Sequence, residues 1–384
     1  MQVNILRFFN FGYFSMFSIF LSFLPLYLAD EGISRTQIGA LLGVGGVVSV
    51  FAQPMWGLVS DYKKTIKKVL LVIIGVSVVS GFCLFNASAP AAIVLLVIMM
   101  YVFCMPTDPL IESLNYQSAQ RRGIPYGSIK MFGALGYATA SLLIGYITDN
   151  AGMASIAFLF LGYGFVTFVT GFALQDVQAV NKPLRMKDLG GFLSERSTLV
   201  FLALVLLMAI PHRTNDTYIG LYIAELGGGM KLVGYAWFIM TISEVVCFAF
   251  VHRLLKPGRE LGIIAVAGII YAIRFGLTAI AGYPVVAVLL QALQGVTFVL
   301  FYTASVQYLY TIIPEQFKAT GQTVLAVVFF GISGIFSSFA GGYLLETLGG
   351  ANLYGIMACL SLIGAVVCLF IRREARQAGE TSFK

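Results

Sequence analysis

The sequence GLVSDYKKTIKK occupies residues 57–68 and joins two long apolar runs, at residues 36–60 and 67–87. A helix of about 20 apolar residues crosses the hydrocarbon core of a bilayer, so each run is long enough to span a membrane. The joining segment carries four lysines, and lysine and arginine accumulate in the cytoplasmic loops of membrane proteins. These residues therefore predict two membrane-spanning helices that are joined at the cytoplasmic surface.

The rest of the chain has the same apolar character. Of 384 residues, 59% are hydrophobic and only 11% are charged, whereas a soluble protein has about 25% charged residues. The five cysteines lie inside apolar runs, without disulfide or metal-ligand spacing, so we expect neither a metal nor a cofactor. The first run begins almost at Met1, is too long and aromatic for a signal peptide, and is predicted to be a retained helix.

The fold predicted from this pattern is an all-α integral membrane protein with twelve spans. The spans are expected at residues 4–29, 36–60, 67–87, 89–116, 124–148, 151–175, 197–224, 230–254, 260–281, 283–312, 319–345 and 350–372. They divide into an N-terminal six-helix bundle (1–175), a cytoplasmic linker (176–196), and a C-terminal six-helix bundle with a short tail (197–384).

The lysines and arginines predict the orientation of these spans. Of 24 such residues, only Arg35 and Lys231 lie in loops of one face, while Lys130, Arg213 and Arg274 lie inside spans. All the others fall at the two termini or in the loops of the opposite face, which places both termini in the cytoplasm. A basic surface for nucleic acid would not alternate with the spans, so the net charge of +7 indicates no nucleic-acid partner.

The two halves of the chain resemble each other. One set of residues recurs 195 positions later and another set recurs 197 positions later, both at corresponding helix ends. The pairs are Tyr27/Tyr222, Ala29/Ala224, Gly32/Gly227, Gly39/Gly234, Gly145/Gly342, Tyr146/Tyr343, Asp149/Glu346 and Gly152/Gly349. The recurrence indicates a duplicated six-helix unit, with a substrate site expected between the two halves. The alternative explanation is chance similarity among glycine-rich apolar segments.

Residues 57–68 resemble the loop between helices 2 and 3 of the major facilitator superfamily. The signature has a glycine, an acid four residues later and then basic residues, here Gly57, Asp61, Lys67 and Lys68. We expect Gly57 to allow close helix packing, and Asp61 to pair with a neighbouring element in one conformation only. The lysines could alternatively serve only to fix the orientation, and Tyr62 departs from the signature, which usually has a basic residue there.

Further motifs narrow the resemblance to the bacterial phenylpropionate-permease branch, which is related to lactose and nucleoside permeases. Their order and spacing extend over essentially the whole chain. They are FLP at 23–25, GI at 32–33, QIG at 37–39, FAQP at 51–54, GSIKMFG at 127–133, GYAW at 234–237, Glu244 and RF at 274–275. The resemblance implies two six-helix bundles, alternating access and proton-coupled solute uptake. We also expect a monomer in the inner membrane of a bacterium.

Seven charged residues fall well inside the predicted spans. They are Asp108, Glu112, Lys130, Arg213, Asp216, Glu244 and Arg274. Each would cost at least ~2.5–3.5 kcal/mol if it faced lipid, so they are expected to pair inside the protein or to face a water-filled cavity. A structural ion pair is the alternative explanation for any one of them, but a set of seven favours function.

In the N-terminal half, Asp108, Glu112 and Asn115 lie at i, i+4 and i+7 and therefore share one helical stripe. The prolines on either side of Asp108 should loosen the backbone. Glu112 and Lys130 lie about 14 and 12 Å from the cytoplasmic helix ends, which predicts an ion pair. The family more often has arginine in place of Lys130, which keeps the charge but lacks the planar fork of donors.

In the C-terminal half, PHRTNDT at residues 211–217 is the most polar run in any span and predicts a broken or bent helix. Depth along the helices allows two further ion pairs, Arg213–Glu244 and Asp216–Arg274. Depth alone does not show that the side chains meet.

These residues suggest binding and coupling roles. The candidate solute-binding residues are Asp108, Glu112, Asn115, Lys130, His212, Arg213, Asp216, Arg274, Gln291 and Gln294. For a proton carrier, Glu244 is the first choice and Glu112 and Asp108 follow, because desolvation favours the neutral form of a carboxyl group. His212 could equally be a hydrogen-bonded core residue, and the two glutamines could equally join helices.

The function predicted is proton-coupled symport of a small polar organic solute, such as an aromatic acid, a sugar or a nucleoside. An exporter of drugs or amphipathic solutes is the alternative, and the coupling ion and transport direction stay open. An enzyme is not expected, because the chain lacks metalloprotease, nucleophile-elbow and phosphate-loop motifs. A channel is not expected either, because no segment resembles a selectivity filter.

Overall fold

A computed structural model describes residues 2–177, 195–255 and 258–381, and every regular element within these ranges is helical. Eleven helices of the described chain are long and apolar enough to cross a membrane. They are α1 (Gln2–Asp30), α2 (Arg35–Lys63), α3 (Ile66–Leu84), α4 (Pro90–Arg122), α5 (Gly127–Ala151), α6 (Ser155–Phe172), α7 (Arg196–Glu225), α8 (Met230–Arg253), α9 (Glu260–Ala279), α10 (Pro284–Ile312) and the continuous stretch Thr320–Arg373.

The last stretch contains two crossings. Gly349 has φ 79° and ψ 166°, which are not helical values, so the chain turns there between α11 (320–348) and α12 (350–373). The twelve predicted spans are therefore present, with ends that differ by a few residues. Most of the predicted linker lies outside the described residues, so the proposed domain boundaries stay a prediction.

The internal repeat has a structural counterpart in the helix ends. Gly32 and Gly227 have φ of 79° and 84°, and Gly152 and Gly349 have φ of 82° and 79°. A positive φ is strained for residues with a Cβ atom, which explains why glycine recurs at these positions. The recurring residues thus perform the same local task in both halves, which supports a duplicated unit over chance similarity.

The recurring tyrosines Tyr27 and Tyr222 each join two helices, and the joined helices are equivalent in the two halves. The Tyr27 hydroxyl donates to the carbonyl of Leu84 at the end of α3, at 3.1 Å. The Tyr222 hydroxyl donates to the carbonyl of Thr278 near the end of α9, at 3.0 Å. Both bonds satisfy a carbonyl that has no partner within its own helix, as helix ends require.

Four crossings contain irregular backbone. α1 has a π-helical turn at Ile19–Phe23, α4 is interrupted between Phe103 and Thr107, and α11 has a π-helical turn at Val327–Ile332. α10 combines a 3₁₀ turn at Gln291–Leu293 with a π-helical turn at Gly295–Val299. Such turns are frequent at functional sites because they redirect side chains.

The sequence predicts a broken or bent helix at residues 211–217 of α7, and the break is wrong. The helix runs without interruption from Arg196 to Glu225, with Pro211 inside it. Proline removes only one backbone donor from the helix. Next to it, the carbonyl of Ile210 accepts hydrogen bonds from the hydroxyls of Thr214 and Ser337, at 2.8 and 2.9 Å. The polar residues of this run therefore bond to neighbours rather than opening the helix.

The helices pack mainly with others of the same half. Within residues 2–177, α1 packs on α5 and α6, and α3 packs on α4 and α6. Within residues 195–381, α7 and α9 pack on the α11–α12 stretch, and α10 packs on α8 and α9. The two halves meet mostly where α5 crosses α8 and where α2 crosses α11.

Candidate functional site

The two halves meet closely at one end of these crossings, here called the outer end because the sequence predicts it to face outwards. Gly39 of α2 packs on Gly342 of α11, and Gly145 of α5 packs on Gly234 of α8. A methyl group on any of these glycines would overlap backbone atoms of the facing helix. The four recurring glycines thus form two equivalent close crossings.

Recurring carboxylates strengthen the same contacts. Asp149, at the end of α5, accepts a hydrogen bond from the backbone N–H of Met230 at 2.9 Å. Glu346, at the end of α11, accepts one from the backbone N–H of Thr36 at 2.6 Å. Each carboxylate therefore caps the first turn of a helix in the other half, where the unpaired N–H groups and the helix dipole favour negative charge.

An ion pair also joins the halves at the outer end. Arg35 Nη1 lies 2.6 Å from Glu225 Oε2 and donates to the carbonyl of Leu345 at 3.2 Å. Glu225 also accepts from the backbone N–H of Gly350 at 2.9 Å. The outer end of the molecule is therefore closed by the glycine crossings, the caps and this pair.

Toward the opposite, inner end, the contact between α2 and α11 is less close. The γ-carbon of Val50 lies 3.9 Å from the position that a Cβ on Gly331 would take, which is an ordinary van der Waals distance. A Cβ on Gly57 would have no atom within 4 Å. The expectation that Gly57 packs closely against another helix is therefore wrong for this conformation.

The loop residues of the predicted signature have different surroundings. Oδ1 of Asp61 is buried and has no hydrogen-bond partner among the described residues. Lys67 Nζ donates to the carbonyl of Phe172 at 2.6 Å, and its backbone N–H donates to Asp176 at 3.0 Å. The side chain of Lys68 is exposed. Lys67 thus ties α3 to the end of α6. The conformation-dependent pairing of Asp61 stays a prediction.

The predicted Glu112–Lys130 ion pair is confirmed. Lys130 Nζ lies 3.0 Å from Glu112 Oε1, and the Lys130 side chain, in the first turn of α5, is 57% exposed. Asp108 is half-buried one turn away from Glu112.

Asn115 has a different position from its two neighbours on α4. It is fully buried and exchanges two hydrogen bonds with Asn10 of α1, at 2.9 and 2.7 Å. Its amide thus joins two helices in this conformation.

The interruption of α4 agrees with the loosened backbone predicted there. The hydroxyl of Thr107 donates to the carbonyl of Cys104, and the Tyr13 hydroxyl contacts the same Thr107 oxygen. Hydroxyl groups of side chains thus provide hydrogen bonds where the helix is interrupted. Backbone polar groups inside a membrane need such partners because water is absent there.

The predicted Arg213–Glu244 pair is wrong. Arg213 pairs instead with Asp216 on its own helix, at 3.0 Å, because residues three apart on a helix face each other. Glu244 lies half-buried on α8, beside the amide of Gln294, and no cation of the described chain lies within ion-pair distance of it. Glu244 therefore lacks the ion-pair partner that Glu112 and Asp216 possess, and among the described residues Asp108 has none either.

The predicted direct pair of Asp216 and Arg274 is also wrong, although the two residues belong to one network. The fully buried Arg274 donates to the side-chain oxygens of Gln291 and Gln294. Gln294 Nε2 in turn donates to Asp216 Oδ1 at 3.3 Å. Gln294 therefore lies between the two charges and links them.

His212 is buried in the same network. Its Nδ1 lies 3.1 Å from the Tyr271 hydroxyl, and its Nε2 lies 3.4 Å from Asp216. Its ring stacks on Phe298, with centroids 4.8 Å apart and planes 10° apart. The structure thus places His212 as a hydrogen-bonded core residue in this conformation.

Phe298, Phe330 and Tyr137 were not identified from the sequence. Phe298 and Phe330 flank Tyr302, which is half-buried on α10. Trp237 packs against Tyr137, with its indole nitrogen buried and unbonded. In a chain with 32 Phe and 19 Tyr an aromatic side chain carries little signal. The one available clue was that Phe298 and Tyr302 continue the helical stripe of the two glutamines.

Comparisons with known proteins agree with this architecture. The pattern of the MFS_1 like family matches residues 3–356. The maltose permease of Geobacillus stearothermophilus is 28% identical, over 96% of this chain and 95% of that protein. The probable 3-phenylpropionic acid transporter of Escherichia coli (strain K12) is 24% identical, over 94% of this chain and 95% of that protein.

Among solved structures, the crystal structure of the nucleoside transporter NupG has a TM-score of 0.85 and 18% identity, and the match covers 97% of this chain and 99% of that one. This likeness concerns the fold. The resemblance to major facilitator permeases that the motifs indicated is confirmed by the family match and the two relatives. The chain therefore belongs to the MFS_1 like family, and it is a multi-pass membrane transporter of the major facilitator kind rather than an enzyme.

Proposed function

We propose that the protein imports a small polar organic solute together with protons, by alternating access. The observation that carries this proposal is that each helical half contains buried or half-buried polar contacts between charged residues, and that the two halves cross closely at the outer end. Charged groups of both signs at this depth are expensive unless they serve a water-filled path. A sugar, an aromatic acid and a nucleoside are the solute classes considered, and the names of similar proteins mention maltose and 3-phenylpropionic acid.

Glu244 is the proposed proton carrier. Its helix, α8, packs on α5 of one half and on α10 of the other, so a change of charge there would act on both halves. Its neighbour Gln294 connects it to Arg274 and Asp216. Glu112 and Asp108 are the second choices, and the other charged and amide residues of the network are proposed to contact the solute.

The proposed location is the inner membrane of a bacterium, with both termini in the cytoplasm and the open end of the cavity facing inwards. The protein is proposed to act as a monomer. The exporter of amphipathic solutes remains the alternative. Its cavity would be expected to contain fewer charges of both signs than the network described above.

Reconstituted vesicles that contain a pH-sensitive dye test the proposal. Glucose, maltose, sucrose, lactose, 3-phenylpropionic acid and uridine would each be added outside, and the internal pH would be followed. Acidification that depends on one solute, and that persists without sodium, supports proton symport. Solute movement without any pH change excludes proton coupling, and proton exit driven by solute entry would favour the exporter.

A further inference from the structure

A surface cavity of about 340 Å³ lies at the inner end of the N-terminal half, where the end of α4 meets the residues that follow α6. The described residues that line it are Ser118, Arg121, Arg122, Gln175 and Val177. Two of these carry a positive charge and none carries a negative charge. The volume is within the range of about 300–1,000 Å³ that is usual for small-molecule sites. We call this space the inner cavity.

Both arginines of the inner cavity are held in place by neutral groups. Arg122 Nη2 donates to the side-chain oxygen of Gln175, and Arg121 Nη1 donates to the backbone carbonyl of Asp176 at 3.5 Å. Neither arginine belongs to an ion pair within the part of the chain that the structure describes. A guanidinium group has five N–H donors, so most of the donors stay available. The two charges are thus positioned in advance but not compensated, which lowers the entropic cost of binding an anion.

The neighbouring carboxylate is turned toward α3 instead. One carboxylate oxygen of Asp176 accepts from the hydroxyl of Thr65, and the other accepts from the backbone N–H of Lys67 at 3.0 Å. The next carbonyl, of Val177, accepts from the backbone N–H of Ile66 at 3.2 Å. These bonds fix the residues after α6 against the first turn of α3. The acidic group nearest to the inner cavity in the chain is therefore already occupied.

Ser118 adds a polar group that has no partner. Its side chain is 8% exposed and lies in the wall of the inner cavity. Its hydroxyl makes no hydrogen bond with the other residues that the structure describes. A buried hydroxyl without a partner costs free energy that a bound acceptor would recover. This hydroxyl is an indication of a ligand that does not depend on the arginine charges.

The orientation of the chain does not account for these features. Lysines and arginines at the inner surface are expected because basic residues accumulate in cytoplasmic loops. That role needs charge alone, and it requires neither a cavity nor a buried hydroxyl. Lys63 and Lys64 show the difference, because both are exposed at the same surface and neither lines the inner cavity.

We infer that the inner cavity binds a phosphate group, which is carried by an anionic lipid or by a free phosphate ion. The planar fork of donors on arginine matches the oxygens of a phosphate group, and the Ser118 hydroxyl donates a further hydrogen bond. Basic pockets between helices on the cytoplasmic side of membrane proteins bind lipid head groups in this way. This site serves neither the solute nor the coupling proton, so it goes beyond the proposed transport function.

Calorimetric titration of the purified full chain, in a neutral detergent at low ionic strength, tests the inference. The probes are inorganic phosphate, a short-chain phosphatidylglycerol and a short-chain phosphatidylcholine. We expect phosphate or phosphatidylglycerol to bind, and phosphatidylglycerol to bind at least about tenfold more tightly than the zwitterionic phosphatidylcholine if the lipid is the source. Binding of phosphate without this lipid preference would identify the free ion as the source.

Variants locate the site. We expect the double variant Arg121→Gln/Arg122→Gln to weaken binding at least about tenfold, and Ser118→Ala to weaken it about threefold. The matched control is Lys63→Gln/Lys64→Gln, which removes the same charge from the same surface and should change binding less than about twofold. Arg122→Lys keeps the charge but loses the fork, and should weaken binding at least about threefold. Gel filtration and thermal unfolding would confirm that each variant is folded.

Three results would overturn the inference. The first is a folded protein that binds neither phosphate nor phosphatidylglycerol more tightly than phosphatidylcholine. The second is an equal loss of binding in the arginine and lysine double variants, which would mean that surface charge alone attracts the anion. The third is unchanged binding in both Arg122→Lys and Ser118→Ala, which keep the net charge and decide the question if the arginine double variant does not fold. None of these measurements involves transport, so the symport proposal is tested separately.

Discussion

Glu244 differs from the ion-paired carboxylates Glu112 and Asp216, because it contacts an amide rather than a cation. We predict that Glu244→Gln lowers solute-driven proton uptake by more than about tenfold, while exchange of solute across the vesicle membrane stays within about threefold of the original rate. The glutamine keeps the shape and the hydrogen-bonding groups but cannot release a proton.

The matched control is Glu315→Gln, at a side chain that is 93% exposed. This variant should keep both activities. If Glu244→Gln still acidifies the vesicle interior at the original rate, Glu244 is not the carrier, and Asp108 becomes the next residue to test.

The Glu112–Lys130 pair allows a charge-exchange test. We expect Glu112→Lys and Lys130→Glu each to reduce transport by more than about tenfold, because either change places two like charges side by side. The double exchange restores opposite charges and should recover much of the lost rate. Initial rates of solute uptake, normalised to the amount of folded protein, would measure this. If the two single variants transported solute at the original rate, the Glu112–Lys130 ion pair would have no role in transport.

Side-chain partners were predicted with mixed success, for a physical reason. Counting residues from a helix end gives depth but not the direction in which a side chain points. Depth sufficed for Glu112 and Lys130, which lie on helices that follow each other in the chain. It failed for Arg213, which turned toward its own helix, and for Arg274, which bonds to glutamine amides instead of a carboxylate.

At the scale of elements, the glycine crossings predict a conformational effect. A larger side chain at Gly234 would overlap the carbonyl of Ser141, so Gly234→Val should prevent the outer end from closing. We expect a membrane-impermeant maleimide added outside to label Tyr137→Cys at least about tenfold faster in this variant. The measurement uses a chain without its five natural cysteines.

Gly57→Val provides the control, because a side chain there meets open space in the outward-closed conformation. It should leave labelling from outside at the original low rate. Equal labelling of Gly234→Val and the parent would mean that the crossing does not hold the outer end shut.

Helix positions were predictable from the sequence, but their irregular turns were not. Long apolar runs and basic loops suffice to place spans, whereas a π-helical turn depends on packing that the local sequence does not show. In α10, for example, the turn begins at Gly295, where the backbone of Ser243 comes so close that a methyl group would not fit. The reverse error occurred in α7, where a polar run suggested a break that tertiary hydrogen bonds make unnecessary.

At the scale of the whole molecule, the distribution of basic residues makes a prediction about orientation. A green fluorescent protein fused to the C-terminus should fluoresce, and alkaline phosphatase fused there should be inactive, because both termini are expected in the cytoplasm. Phosphatase fused within the loop at residues 31–33 should be active. If phosphatase fused to the C-terminus were active, the predicted orientation of the molecule in the membrane would be wrong. The side to which the cavity is proposed to open would then be reversed as well.

The general architecture was the part most readily predicted, since the recurring residues mark equivalent helix ends in both halves. Gly39 and Gly234, for example, both lie where one half crosses the other. The sequence could not show which conformation the molecule adopts, because residue patterns place the helices but do not fix how the two halves sit against each other. The open space at Gly57 and the close crossing at Gly39 are properties of the conformation described here.

The unbonded oxygen of Asp61 has a consequence for the balance between these conformations. A buried acceptor without a donor raises the free energy of the conformation that contains it by about 1–3 kcal/mol. The outer caps and the Arg35–Glu225 pair lower the free energy of that same conformation. The two effects oppose each other in this conformation, so its free energy lies closer to that of any conformation in which Asp61 gains a donor. We propose that this keeps the energy difference small enough for a bound solute or a single proton to reverse.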